Sequence, residues 1–226
     1  MKTRNRSIGI IVPVCLVLAL GSCATNPARS HQSRSLYGML YDGDNKPVYD
    51  AHIYVNRKHT ATSDIHGHFV IPNMKLNTSY SVSVEKNKYE TILLDVLYSD
   101  PSFVLYLRMF SADQLIGEAE RALRERDWQQ GELFLTRAQN AGGDVVSIGY
   151  LRGLNALFRE HYGDALAILL ELENKETNVP YLYLLIADIY QYYMDNRPRA
   201  LVYLNKFLTL RYDPEIERRA NALREA

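Results

Sequence analysis

Moved along by 34 residues, the second half of this chain falls on itself. From Ser111 onward the shift lays Ala119 on Gly153, Leu123 on Leu157, Trp128 on Tyr162, Gly131 on Ala165 and Leu135 on Leu169. A second shift lays Gly153 on Ala187; the offset then becomes 35, with Ala165 on Ala200 and Leu169 on Leu204. A fixed period of this length means a stack of like units. No unit buries its apolar face alone, so each needs its neighbours. Small residues at matched positions let paired helices approach closely, and the aromatic fills the groove between them. The change of offset predicts one extra residue in the turn "MDNRP", with Pro198 in the first turn of the helix that follows. Asp213 and Pro214 predict a last helix whose Glu and Arg content suits a polar cap for the open end.

These residues resemble the tetratricopeptide (TPR) repeat over about 100 positions. The third unit departs from it, since Asn196 or Arg197 holds the aromatic position. The resemblance implies an α-solenoid of about three helix pairs with a C-terminal capping helix over 111–226. It also implies that the first helix of each pair faces a concave side. The inward positions would be Ile116, Glu120 and Arg124, then Tyr150, Leu154 and Phe158, then Tyr181, Leu184, Asp188 and Tyr192. Such a surface suits an extended peptide or a partner helix with aromatic anchors. The alternative is that many of these residues pack against neighbouring helices or the preceding domain. The Lys, Asn and Arg clamp that some members use for a terminal carboxylate is absent.

Ahead of the repeats, about Leu36 to Phe110 alternate with a period near two. "LYGMLYD", "AHIYV", "HFVIP", "YSVSVEK", "TILLDVLY" and "FVLYLRM" read as short strands between turn signals, which predicts a small antiparallel β-sandwich. "YGMLYDGDNKPVYDAHIYV", "TSDIHGHFVIPNM" and "YSVSVEKNKYETILLDV" resemble the carboxypeptidase-regulatory-like, or transthyretin-like, β-sandwich. Thr62, Asp64, Gly67 and Phe69 carry its central motif with one residue displaced. Asn87, Lys88 and Tyr89 replace its usual closing Gly-Tyr. The resemblance implies a non-catalytic accessory module over 36–110.

The first residues carry an address. Lys2, Arg4 and Arg6 precede an apolar run from Ile8 to Leu20, about 13 residues long. A span needs roughly 20, so the run fits a secretion signal instead. Leu20, Gly21, Ser22 and Cys23 resemble the bacterial lipobox. That resemblance implies a signal peptide over 1–22, lipidation with palmitate-type chains at Cys23, and a location in the cell envelope, at the outer membrane or its periplasmic face. Two or more acyl chains hold a protein stably to a bilayer. "ATNPARSHQSR" has no periodicity, so 23–35 reads as the lipidated Cys and a flexible tether.

Composition narrows the function. The 26 basic and 26 acidic residues balance, leaving no bulk footprint for nucleic acid. Only Cys15 and Cys23 occur, and Cys15 would leave with the signal. His52, His59, His66 and His68 with Asp64 invite a zinc reading. The plainer reading is that Asp64 caps a tight turn, Gly67 supplies a positive φ, and the histidines face water. "DGDN" lacks the ligands of a calcium loop and reads as a hairpin turn. No phosphate loop, zincin motif or nucleophile elbow is present. The expectation is therefore a non-enzymatic protein without metal or cofactor: a membrane-anchored scaffold binding an envelope protein. The alternative is an accessory lipoprotein whose sandwich grips polysaccharide or peptidoglycan.

Overall fold

In a computed structural model, residues 34–175 and 178–225 are described. The signal peptide, Cys23 and nearly all of the tether lie outside them. From Ser33 onward the chain is one compact unit, β in its first half and α in its second. Among the described residues no helix is long and apolar enough to cross a membrane.

Seven strands form the first half: β1 Arg34–Tyr41, β2 His52–Val55, β3 Lys58–Thr62, β4 His68–Met74, β5 Thr78–Glu85, β6 Ile92–Tyr98 and β7 Val104–Arg108. They make a three-stranded sheet ordered β4-β1-β7 and a four-stranded sheet ordered β3-β2-β5-β6. The inward residues Leu36 and Leu40 of β1, Ile53 of β2, Phe69 and Ile71 of β4, Val82 and Val84 of β5 and Val96 of β6 close one shared core. Two expectations need correction. The sandwich is not wholly antiparallel: β1 and β7 run parallel from Tyr37↔Val104 to Tyr41↔Arg108. The tether is shorter than expected, because Arg34 and Ser35 already belong to β1.

Gly38 explains why the opening strand carries a glycine. It sits opposite Phe69 in the register. A Cβ there would lie 2.0 Å from the Phe69 ring, far inside contact distance. Gly67, at φ 77°, meets the Leu40 carbonyl the same way, at 2.3 Å.

The second half holds α1 Ala112–Arg124, α2 Trp128–Asn140, α3 Val145–Phe158, α4 Tyr162–Glu173, α5 Pro180–Asp188, α6 Arg197–Leu210 and α7 Pro214–Glu225. Each of the first three turns between paired helices repeats one device. Arg126, Glu160 and Asp195 take left-handed φ of 62°, 63° and 46°. The next amide in each donates back into the preceding helix: Asp127 to Ala122 O, His161 to Ala156 O and Asn196 to Tyr190 O. Asp127 and Asn196 also cap the following helix by accepting from Gln130 and Arg199. Gly131, Ala165 and Ala200, one to each second helix, are all buried.

The extra residue is real but sits elsewhere than expected. A π-helical turn, Ile189–Tyr193, continues α5, and the Met194 amide donates to Ile189 O, five residues back. One added residue thus widens the end of a helix, and the turn after it keeps its left-handed residue.

The two halves are joined by more than the chain. Arg137 of α2 grips Glu90 with one guanidinium edge, Nε at 3.0 Å and Nη2 at 2.7 and 3.0 Å, while its plane faces the Phe110 and Phe134 rings. Glu90 also accepts from the Phe110 amide at 3.1 Å. Ser111 and Gln114 form a capping box at the start of α1. The same Gln114 donates to Asp44 in the "DGDN" turn at 3.0 Å. The Ala112 amide donates to Lys88 O at 2.8 Å. Lys88 of the "NKY" segment is therefore part of the joint.

Candidate protein-binding groove on the helical face

An open groove of about 720 Å³ lies between α1 and α3. Glu120, Leu123 and Arg124 of α1 form one wall, and Tyr150, Leu151, Leu154 and Phe158 of α3 the other. Arg126 and Trp128 close its end. The helical spacing of 150, 154 and 158 stacks those three residues on one face of α3. Phe158 remains 53% exposed, although its ring lies 5.7 Å from that of Trp128. An exposed aromatic above a buried leucine floor is an arrangement that takes an apolar anchor from outside.

Tyr150 is shared with a second hollow of about 580 Å³, which Asp144, Val146 and Ser147 at the start of α3 form with Asn178, Val179 and Tyr181. Burial first, then the charge of Asp188 and the nearby Tyr181 phenol, raises the Tyr150 phenol above its usual range. It stays a neutral donor near neutral pH. Asp144 caps α3 by accepting from the Ser147 amide at 2.7 Å. That bond holds its carboxyl below the ordinary value.

The remaining expected residues have other company. Ile116 packs against the core of the first pair, and Leu184 against that of the later pairs. Asp188 pairs with Arg219 of α7 at 2.6 Å. Burial raises its carboxyl above the ordinary value, and Arg219 opposes that rise. Tyr192 lies under the same guanidinium at 4.9 Å, and Gln191 accepts from Arg219 at 2.7 Å. Helix α7 thus ties down Asp188 at the far end of the expected surface, while Tyr192 stays 63% exposed. Tyr150, Leu154 and Phe158 share the first groove with Glu120 and Arg124; Tyr181 borders the second.

Trp128 and Arg126 were not among the expected inward residues. Trp128 packs partly buried against the core of the first pair, as a filler between helices would, and also lines the groove. Arg126 reaches it from a left-handed turn position that carries no helical periodicity.

In the sandwich, Asp64 caps its turn by accepting from the amides of His66 and His68 at 2.9 and 2.8 Å. The His68 amide is the larger cause of the low Asp64 pKa. The His52 and His59 rings meet at 5.5 Å on β2 and β3, in the other sheet. Among the described residues no group of three or more His, Cys, Asp or Glu is placed to hold a metal ion. On the outward face of the three-stranded sheet, Tyr37 and Tyr106 are 56% and 68% exposed on the adjacent strands β1 and β7.

No family model and no curated protein matches this chain. Among solved structures, the C-terminal domain of the Caf1A usher, described for conserved surface hydrophobic clusters important for F1 antigen assembly, aligns at 14% identity. The alignment covers 34% of this chain and 97% of that one, with a TM-score of 0.26, too weak a likeness to carry an argument.

Proposed function

We propose that this chain is a lipid-anchored protein of the bacterial envelope that holds a protein partner and performs no catalysis. The groove lined by Trp128, Tyr150 and Phe158 carries this reading, because exposed aromatics over an apolar floor are the usual anchors of a protein interface. The helix pairs are TPR-like in this reading, supported by the recurring small residues, left-handed turns and back-donating amides. Cys23 is its lipidated residue, and the location is the outer membrane or its periplasmic face. A photo-crosslinking residue at Phe158 is expected to trap a defined protein in intact cells. The same residue at Val202, 51% exposed on α6, is expected to trap none. Equal labelling from both positions overturns the groove as the binding surface.

The alternative, a sandwich that grips polysaccharide or peptidoglycan, draws its support from the exposed Tyr37 and Tyr106. Sedimentation with purified peptidoglycan that is lost in Tyr37→Ala and Tyr106→Ala but kept in Phe158→Ala would favour it.

A further inference from the structure

We propose that the loop end of the sandwich from which the N-terminal segment departs is itself a lipid-contacting surface. The inference rests on the lipid-anchor reading above. Register places three pieces of chain at that end. Arg34, the start of β1, pairs with Met74 at the end of β4. Tyr37 pairs with Val104 at the start of β7. The Asn77 amide donates to Tyr98 O at 2.7 Å. The connections 75–77 and 99–103 therefore flank the place where the preceding segment joins.

Those connections carry apolar residues where polar ones are expected. Leu76 and Phe103 are 39% and 42% exposed on them. Lys75 beside Leu76 is exposed and cationic. The acid among them, Asp100, spends one oxygen within its own loop, accepting from the Ser102 amide at 2.8 Å and its hydroxyl at 2.7 Å. Phe and Leu at a tip with Lys beside them fit a bilayer interface: the rings enter the acyl boundary and the ammonium stays among anionic headgroups.

Chain length selects lipid over other occupants. Cys23 stands eleven residues before Arg34. Eleven residues cannot span more than about 40 Å, so an acylated Cys23 keeps this end near the bilayer. The opposite end belongs to the helices, since the Met109 amide donates to Tyr41 O at 2.9 Å just before α1 begins. The eight residues of β1 rise about 26 Å. With Leu76 and Phe103 in the headgroups, the sandwich stands end-on and the helical groove is held away from them.

The test uses the full chain, expressed with its signal and reconstituted into vesicles of brominated phosphatidylcholine with phosphatidylglycerol. In a Trp128→Phe background, Phe103→Trp reports the tip. Ile65→Trp reports a residue 67% exposed in the turn that leads into the opposite end of β4. The bromolipid is expected to quench Trp at 103 several-fold more than Trp at 65. Acylation of Cys23 is read on the same sample by mass spectrometry. If the chain is acylated and sediments with vesicles but both tryptophans quench alike, the tip proposal falls and the anchor stands. If Cys23 is bare and the chain stays in solution, both fall. If Cys23 is bare yet the chain sediments with Trp at 103 quenched, the tip stands and the anchor falls.

Discussion

In the sandwich and in the helix pairs alike, two segments come close because a glycine stands between them, yet what meets the glycine differs. Gly38 faces the Phe69 ring, fixed in the register of a fully paired strand. Gly153 faces the tip of Leu169, whose Cδ2 would lie 2.5 Å from an added Cβ. The matched positions in the other pairs are Ala119 and Ala187, both fully buried, so the helical geometry accepts a methyl there. At Gly38 three atoms of one rigid ring lie within 2.6 Å of the added Cβ, whereas at Gly153 the contact is with the branched end of a leucine. The sheet half is the less forgiving of the two.

The sharpest way to break that contrast is the same substitution in both places. Gly38→Ala is expected to lose about 3 kcal/mol, the upper range for overpacking. Gly153→Ala is expected to change stability by less than about 1 kcal/mol, since helix propensity gains roughly what Leu169 loses in moving. Urea unfolding of the two variants measures both, and equal losses would end the distinction.

Next comes the joint, where the halves are tested together. Glu90→Gln leaves the Arg137 guanidinium with a weaker partner and is expected to cost about 2 kcal/mol, the scale of a charged hydrogen bond. Calorimetry should then show the single transition broadening toward two. A change confined to one half would mean that the two unfold independently already.

Acid separates regions of the helical half. The Asp144 carboxyl titrates below its unfolded value, so its stabilisation is complete above about pH 4 and is lost as pH falls through the folded value. Asp188 has the opposite sign: its folded value is raised, so the native state takes up a proton first and this site gains stability as pH falls through that value. Asp144→Ala is expected to cost about 1 kcal/mol at pH 7, a typical cap loss. The penalty should shrink toward pH 3, which urea titrations at both pH values measure.

The smallest effect is expected at the groove. Phe158→Ala should change stability by no more than about 0.5 kcal/mol, as for an exposed site. It should nevertheless shift the emission of Trp128, the only tryptophan of the chain. A large stability loss would make Phe158 a packing residue and weaken the groove as a binding surface.

The two halves also differed in how far the sequence revealed them. Alternation marked six strands because one face of each is apolar. It missed β3, "KHTAT", which lies at a sheet edge with exposed or half-exposed residues throughout and so shows no apolar face. The parallel pairing of β1 with β7 joins residues more than sixty positions apart and leaves no local mark. The 34-residue shift found the surplus residue of the third pair, but self-similarity cannot tell a longer turn from a wider helix. Tyr150, Leu154 and Phe158 were legible from their spacing. The reach of Arg219 to Asp188 and Tyr192 was not, because a polar helix read as a cap shows nothing of where its guanidinium goes. The Glu90–Arg137 clasp was invisible for the same reason, its partners being 47 residues apart.

The parallel pairing of first and last strands has a mechanical consequence. Tension applied between the start of β1 and the end of β7 pulls these neighbours past one another along their length. The ladder from Tyr37↔Val104 to Tyr41↔Arg108 is then sheared as a whole, and its hydrogen bonds share the load. A hairpin such as β5–β6, pulled apart from its open end, would give way one bond at a time. Stretching single molecules by their two ends should therefore show the sandwich yielding last, after the helix pairs have already unravelled.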